Sequence, residues 1–190
     1  MNTIRLFEGL QSVQEGLPYF VRYDTSQKVY TFTYENFLSM TWRGAKEIWG
    51  ARLPGPPLLA LTSARISRVG GRYEKGFAEA LYDTEQSRTI TNNHFKGDPI
   101  VPGVLGIESG NQLTGIFGIV SGCVGQAMFV GLDGFRQRNI VVPSKDGVVA
   151  VRVDIVQRRE NLVVSEVSLR KMGEDEPYAT IKKCLIAFVE

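Results

Sequence analysis

The chain has 190 residues, 43% of them apolar, and a formal net charge of +2. That is enough apolar material for one compact core, and far too much for a disordered chain. So small a charge, without a long basic run, excludes an electrostatic grip on nucleic acid; only local pairs such as Arg158-Arg159 and Lys182-Lys183 are available to a small acidic partner.

Residues 1–9 lack the apolar run of a secretory signal, which points away from export. Segments 19–23 and 28–33 are rich in aromatic and β-branched residues and are separated by Asp24-Thr25-Ser26-Gln27, so a hairpin is predicted within an N-terminal extension, residues 1–33. The main domain is expected over 34–190. Residues 34–49 read as a helix, with Phe37, Leu38, Trp42, Ile48 and Trp49 as its apolar positions; Gly50 and Pro54-Gly55-Pro56-Pro57 end it. Strands are predicted at 58–69 and 72–81, around a Gly70-Gly71 turn.

Residues 103–121 form the longest apolar helical stretch, with Val104, Ile107, Ile116, Phe117 and Val120 expected to be buried. Glu108, Asn111 and Gln112 interrupt it and argue against a membrane span. Gly118 and Gly122 have the spacing of a membrane helix-packing motif, but that spacing recurs in glycine-rich soluble helices. Each interior glycine costs about 1 kcal/mol of helix propensity relative to alanine, so tight contact with a sheet must offset Gly106, Gly110, Gly115 and Gly118.

Further strands are predicted at 126–132, 135–142, 162–170 and 178–189. Between them Val149, Val151, Val153 and Ile155 alternate with Ala150, Arg152 and Asp154, as in a strand with one covered face. The order implies an α+β fold, an antiparallel sheet wrapped around one long central helix. Cys123 and Cys184 have no metal-ligand or redox spacing, which suits a reducing cytoplasm.

His94 is the only histidine, and it opens His-Phe-Lys-Gly-Asp-Pro-Ile-Val-Pro-Gly-Val-Leu-Gly-Ile-Glu, ending at Glu108. It alone has an unperturbed pKa suited to proton transfer near neutrality, about 6.5. Taken singly, a lone histidine is more often a hydrogen-bonded structural residue, and Glu108 could be a solvated carboxylate or a partner for the helix dipole.

Three runs together change that balance: Asn93-His94-Phe95-Lys96-Gly97-Asp98-Pro99, Val101-Pro102-Gly103-Val104-Leu105-Gly106, and Gln112-Leu113 with Gly115. This block resembles the hotdog-fold acyl-carrier-protein dehydratases, most closely the β-hydroxydecanoyl-thioester dehydratase branch. Weaker matches at Leu53-Pro54, Tyr73-Glu74-Lys75-Gly76, Ala78-Glu79-Ala80 and 131–143 extend it from about residue 34 to the C-terminus. The resemblance implies a homodimer with active sites shared across its interface and an acyl carrier protein as partner. It implies dehydration of a 3-hydroxyacyl thioester, with His94 and Glu108 as catalytic base and acid.

That chemistry needs a base at the α-carbon, an acid at the departing hydroxyl and donors for the thioester carbonyl. Neutral His94 suits the first role. Glu108, if partly buried, would be held protonated more readily and suits the second. Gly103 and Val104 open the helix where N–H groups lack intrahelical partners, an oxyanion hole for the third; an ordinary Pro-Gly helix start is the plainer alternative. The resemblance assigns Gln112, one turn beyond Glu108, to orienting the carboxyl group. Arg136, Arg138, Arg158 and Arg159 are candidates for steering an acidic carrier protein, against the alternative of a solvated strand face. Phe95, Ile116, Phe117 and Phe129 are candidates for lining an acyl tunnel. No step calls for a metal or redox cofactor.

The bifunctional branch, which also isomerises the enoyl product, carries aspartate where this chain has Glu108. Dehydration alone is therefore expected, in fatty-acid or polyketide-type synthesis. A hotdog acyl thioesterase and a non-catalytic acyl-carrier-binding protein are the alternatives.

Overall fold

The computed structural model describes residues 21–41 and 52–189. Strands β1 (Arg22–Asp24) and β2 (Val29–Thr33) form the expected hairpin. Asp24 sets its turn by accepting hydrogen bonds from the Ser26 and Gln27 N–H groups. Helix α1 (Tyr34–Ser39) follows and ends at its C-cap Met40, so the helix predicted over 34–49 stops short there; residues 42–49 of that prediction, and residues 19 and 20 of the first predicted strand, lie outside the described residues.

Strands β3 (Leu61–Ser67) and β4 (Phe77–Asp83) are shorter at their facing ends than expected. Residues 70–76 make a loop instead, because Gly70, Gly71, Glu74 and Gly76 all have positive φ, which a strand cannot accommodate. A 3-10 turn (Thr84–Ser87) and helix α2 (Arg88–His94) come next. Neither was legible in the sequence: of α2 only Thr91 is buried, so it has no apolar period to read.

The central helix α3 (Gly103–Val120) has the predicted extent. Its C-terminus closes through bonds from Gly122 N–H to Ile119 O (3.0 Å) and Cys123 N–H to Gly118 O (3.0 Å), with Gly122 at φ +91. Strand β5 (Gln126–Asp133) precedes β6 (Arg136–Gln137), short helix α4 (Pro143–Asp146), β7 (Val148–Arg159), β8 (Leu162–Lys171) and β9 (Ala179–Val189). The strand expected over 135–142 shrinks to β6. Beyond it the backbone leaves the ladder, Val141 O accepts from Val101 N–H (2.9 Å), and Pro143 starts α4.

All pairings are antiparallel, in the order β1-β2-β3-β4-β7-β8-β9-β5, with β6 also on β9. The alternation read in β7 is observed: Val149, Val151, Val153 and Ile155 are buried and face α3 with Ala78, Ala80, Val167, Leu169 and Ile181. Leu105, Leu113, Ile116, Phe117 and Val120 of α3 complete this core; each such side chain contributes about 1.5–3 kcal/mol on burial. Val104 departs from expectation. It is 61% exposed, because it lies on the face of α3 turned away from the sheet. No helix among the described residues is long and apolar enough to cross a membrane.

Candidate active site

Glycine brings α3 close to the sheet. A Cβ on Gly110 would stand 2.9 Å from Val167 Cγ1, and one on Gly118 would enter the Phe188 ring. With that face of the helix pressed onto the sheet, Val104 and Glu108, four residues apart, share another face, while Asn111, seven residues before Gly118, lies on the side toward β9. Glu108 is half-buried there and lines a cavity of about 100 Å³ with Leu53, Asn111, Gln112, Ala127 and Phe129.

Gln112, 4% exposed, donates through Nε2 to Glu108 Oε1 (2.9 Å) and to Leu58 O (2.7 Å), while its Oε1 accepts from Ala60 N–H (3.1 Å). These bonds set the amide orientation, so an N–H faces the carboxyl group. The clamp comes from the segment between Pro57 and β3. The sequence marked the proline-rich stretch only as a helix terminator, and nothing in it announces which carbonyl a distant glutamine will reach. Asn111 was likewise missed as a cavity residue; its Oδ1 accepts from the buried Cys184 thiol (3.1 Å). Burial pushes that thiol up to about 11, so it is a neutral donor.

The helix start lies about 7.5 Å along the axis from Glu108, at 1.5 Å per residue. Pro102 is the N-cap residue and Leu105 N–H bonds to its carbonyl (3.0 Å). Gly103 and Val104 are the first two helical residues, whose N–H groups have no intrahelical acceptor. Gly103 lies close to its neighbours: a Cβ there would stand 2.5 Å from Gln137 Oε1, the end of a flexible side chain, and 3.3 Å from Phe135 Cζ.

His94 ends α2, is exposed, and packs its ring against Phe95 at 4.4 Å between centroids. It is not among the residues that line the Glu108 cavity. Of the candidate tunnel residues, Phe129 lines the cavity, Ile116 and Phe117 are fully buried in the core, and Phe95 is 56% exposed.

The four candidate arginines are all exposed but separate into two groups. Arg136 and Arg138 flank Gln137, beside the N-terminus of α3. Arg158 and Arg159 lie at its other end, where Cys123 Sγ approaches Arg159 O (3.8 Å). An 18-residue helix, about 27 Å long, divides the pairs.

Among solved structures, the chain is similar to the dehydratase heterocomplex ApeI:P from Xenorhabdus doucetiae, at 13% identity and TM-score 0.54, over 70% of this chain and 85% of that one. It is also similar to a thioesterase from Haemophilus influenzae, at 17% identity and TM-score 0.49, over 84% and 92% of the two chains. The model of the FabA-like domain matches residues 53–180, a span that takes in strands β3 to β8, the whole of α3 and the first residues of β9. By that match the chain belongs to the FabA-like family, with the hotdog fold.

Proposed function

We propose that this protein dehydrates 3-hydroxyacyl thioesters carried on acyl carrier protein, giving the trans-2-enoyl thioester and water. The observation that carries this is the Glu108 carboxyl group, held by Gln112 at a cavity about 7.5 Å along the helix from free N–H groups. His94 Nε2 or Nδ1 takes the α-proton, and the C–H electron pair moves into an enolate on the thioester carbonyl. The Gly103 and Val104 N–H groups stabilise that oxygen. The enolate collapses, the C3–O bond breaks, and the hydroxyl leaves as water with the proton of Glu108.

His94 and Glu108 act from different chains of a homodimer. This suits the exposure of His94, its absence from the Glu108 cavity, and the outward placement of Val104 and Glu108. Arg136 and Arg138, beside the start of α3, receive the acidic carrier protein.

The test is turnover of a 3-hydroxyacyl carrier thioester followed by mass: loss of one water is expected, with the double bond remaining at the 2-position. His94→Ala and Glu108→Gln should each abolish it. Mixed after denaturation and refolding, the two variants should recover roughly a quarter of wild-type activity, since half of the dimers are mixed and each has one intact site. No recovery, with both variants folded and dimeric, would place the pair within one chain. Free acid and thiol appearing without enoyl product would overturn dehydration in favour of hydrolysis.

A further inference from the structure

A second cavity, of about 200 Å³, lies away from Glu108. Tyr23, Lys28, Tyr30, Arg68, Val69 and Arg158 line it. The hairpin brings Lys28 and both tyrosines, the residue after β3 brings Arg68, and the end of β7 brings Arg158. Arg158 also acts on Cys123, just past the end of α3, which sets the cavity at the opposite end of that helix from Gly103. Glu108 is therefore roughly 18 Å away along the axis.

Three cations meet here and, among the described residues, no carboxylate lines the cavity. Among the described residues, none of the three forms an ion pair. The larger hollow on the outer face of the sheet, about 770 Å³, is different in kind. There Arg72 pairs with Glu166 (2.8 Å), and Arg152 pairs with Glu79 (2.6 Å) and Asp154 (2.8 Å), so the protein's own carboxylates already neutralise those two cations.

The wall of the smaller cavity is aromatic. The Tyr23 and Tyr30 rings are 4.5 Å apart between centroids and tilted by 37°. Tyr30 is 2% exposed, and burial pushes its phenol above the ordinary value although Arg68 pulls the other way. It stays neutral near pH 7 and adds no negative charge, while its hydroxyl remains a donor. Guanidinium groups suit phosphate oxygens, and a ring face suits a flat apolar group.

We propose that this cavity is a binding site for a small phosphate monoester bearing a flat ring. The cations hold the phosphate and Tyr23 packs against the ring. The site is independent of the dehydration reaction, and it depends on the N-terminal hairpin for Lys28 and both tyrosines.

Calorimetric titration of the full chain with phenyl phosphate and with inorganic phosphate tests it. Phenyl phosphate should bind saturably at one site per chain, more tightly than inorganic phosphate, and more weakly as salt rises. Arg68→Gln should weaken binding roughly tenfold or more, as expected for a lost charge-assisted contact, and Tyr23→Leu should remove the preference for phenyl phosphate. Lys182→Gln, which removes one charge from the other hollow, should leave binding unchanged. If Arg68→Gln does not fold, Lys28→Gln, on the exposed turn, takes its place. Unsaturable binding, equal affinity for the two probes, or equal weakening by Lys182→Gln and Arg68→Gln would overturn the proposal.

Discussion

Gln112 is tied at both ends of its amide, and the two ends do different work. Its oxygen satisfies the buried Ala60 N–H, and its nitrogen bridges Leu58 O and Glu108 Oε1. Gln112→Leu should therefore act twice. It should leave the Ala60 N–H without an acceptor, lowering stability by about 1–3 kcal/mol in chemical denaturation. It should also lower kcat on the carrier thioester, because the Glu108 carboxyl group loses the bond that orients it. A normal kcat in a folded Gln112→Leu protein would separate Glu108 from any need of this partner.

At the scale of the element, the glycines of α3 are not equivalent. Gly118→Ala would force a methyl group into the Phe188 ring, and overpacking of this kind costs about 1–3 kcal/mol. Gly115→Ala meets only Ala127 Cβ at 3.4 Å, an ordinary contact, and should raise stability by up to about 1 kcal/mol through helix propensity. Thermal unfolding of the pair should move the melting temperature in opposite directions. The buried Thr114 Oγ1, bonded to Gly110 O (2.8 Å) and to Ser165 Oγ (2.9 Å), adds a polar tie between helix and sheet at the same level.

Across the whole molecule, two features predict behaviour. Strand β5 ends the sheet order and exposes Met128, Phe129 and Val130 at 51%, 48% and 60%. An apolar edge strand of this kind is suited to pairing with another chain. Val130→Asp should convert a dimer into a monomer in sedimentation and abolish turnover along with it, as active sites shared between chains require. The second feature is the ion network on the outer face. Burial alone would raise the Asp154 carboxyl group, but hydrogen bonds from the Arg152 side chain and the Arg72 N–H, with both positive charges, hold it below its ordinary 3.8. A depressed carboxylate contributes stability that is complete above its unfolded pKa and is lost as pH falls through the folded one. Asp154→Asn should therefore lower the melting temperature at pH 7, with the difference from wild type shrinking below about pH 4 as Asp154 takes up its proton.

The sequence by itself determined the parts that repeat locally. Period-two alternation in 149–155 marked β7, the glycine-rich apolar run marked α3, and Asn93 to Gly106 carried the family, since each depends on neighbours along the chain. Elements without an apolar face, such as α2, left no such trace, and the positive φ values of 70–76 shortened a strand that composition alone would extend. The spacing of Glu108 and Gln112 allowed their hydrogen bond, but only the fold supplied Leu58 and Ala60 to clamp the amide. Tertiary structure alone placed His94 outside the Glu108 cavity, parted Arg136 and Arg138 from Arg158 and Arg159, and gathered Lys28, Arg68 and Arg158 around two tyrosines. The physical reason is that periodicity reports which face of an element is apolar, whereas a site is made where faces from distant segments meet.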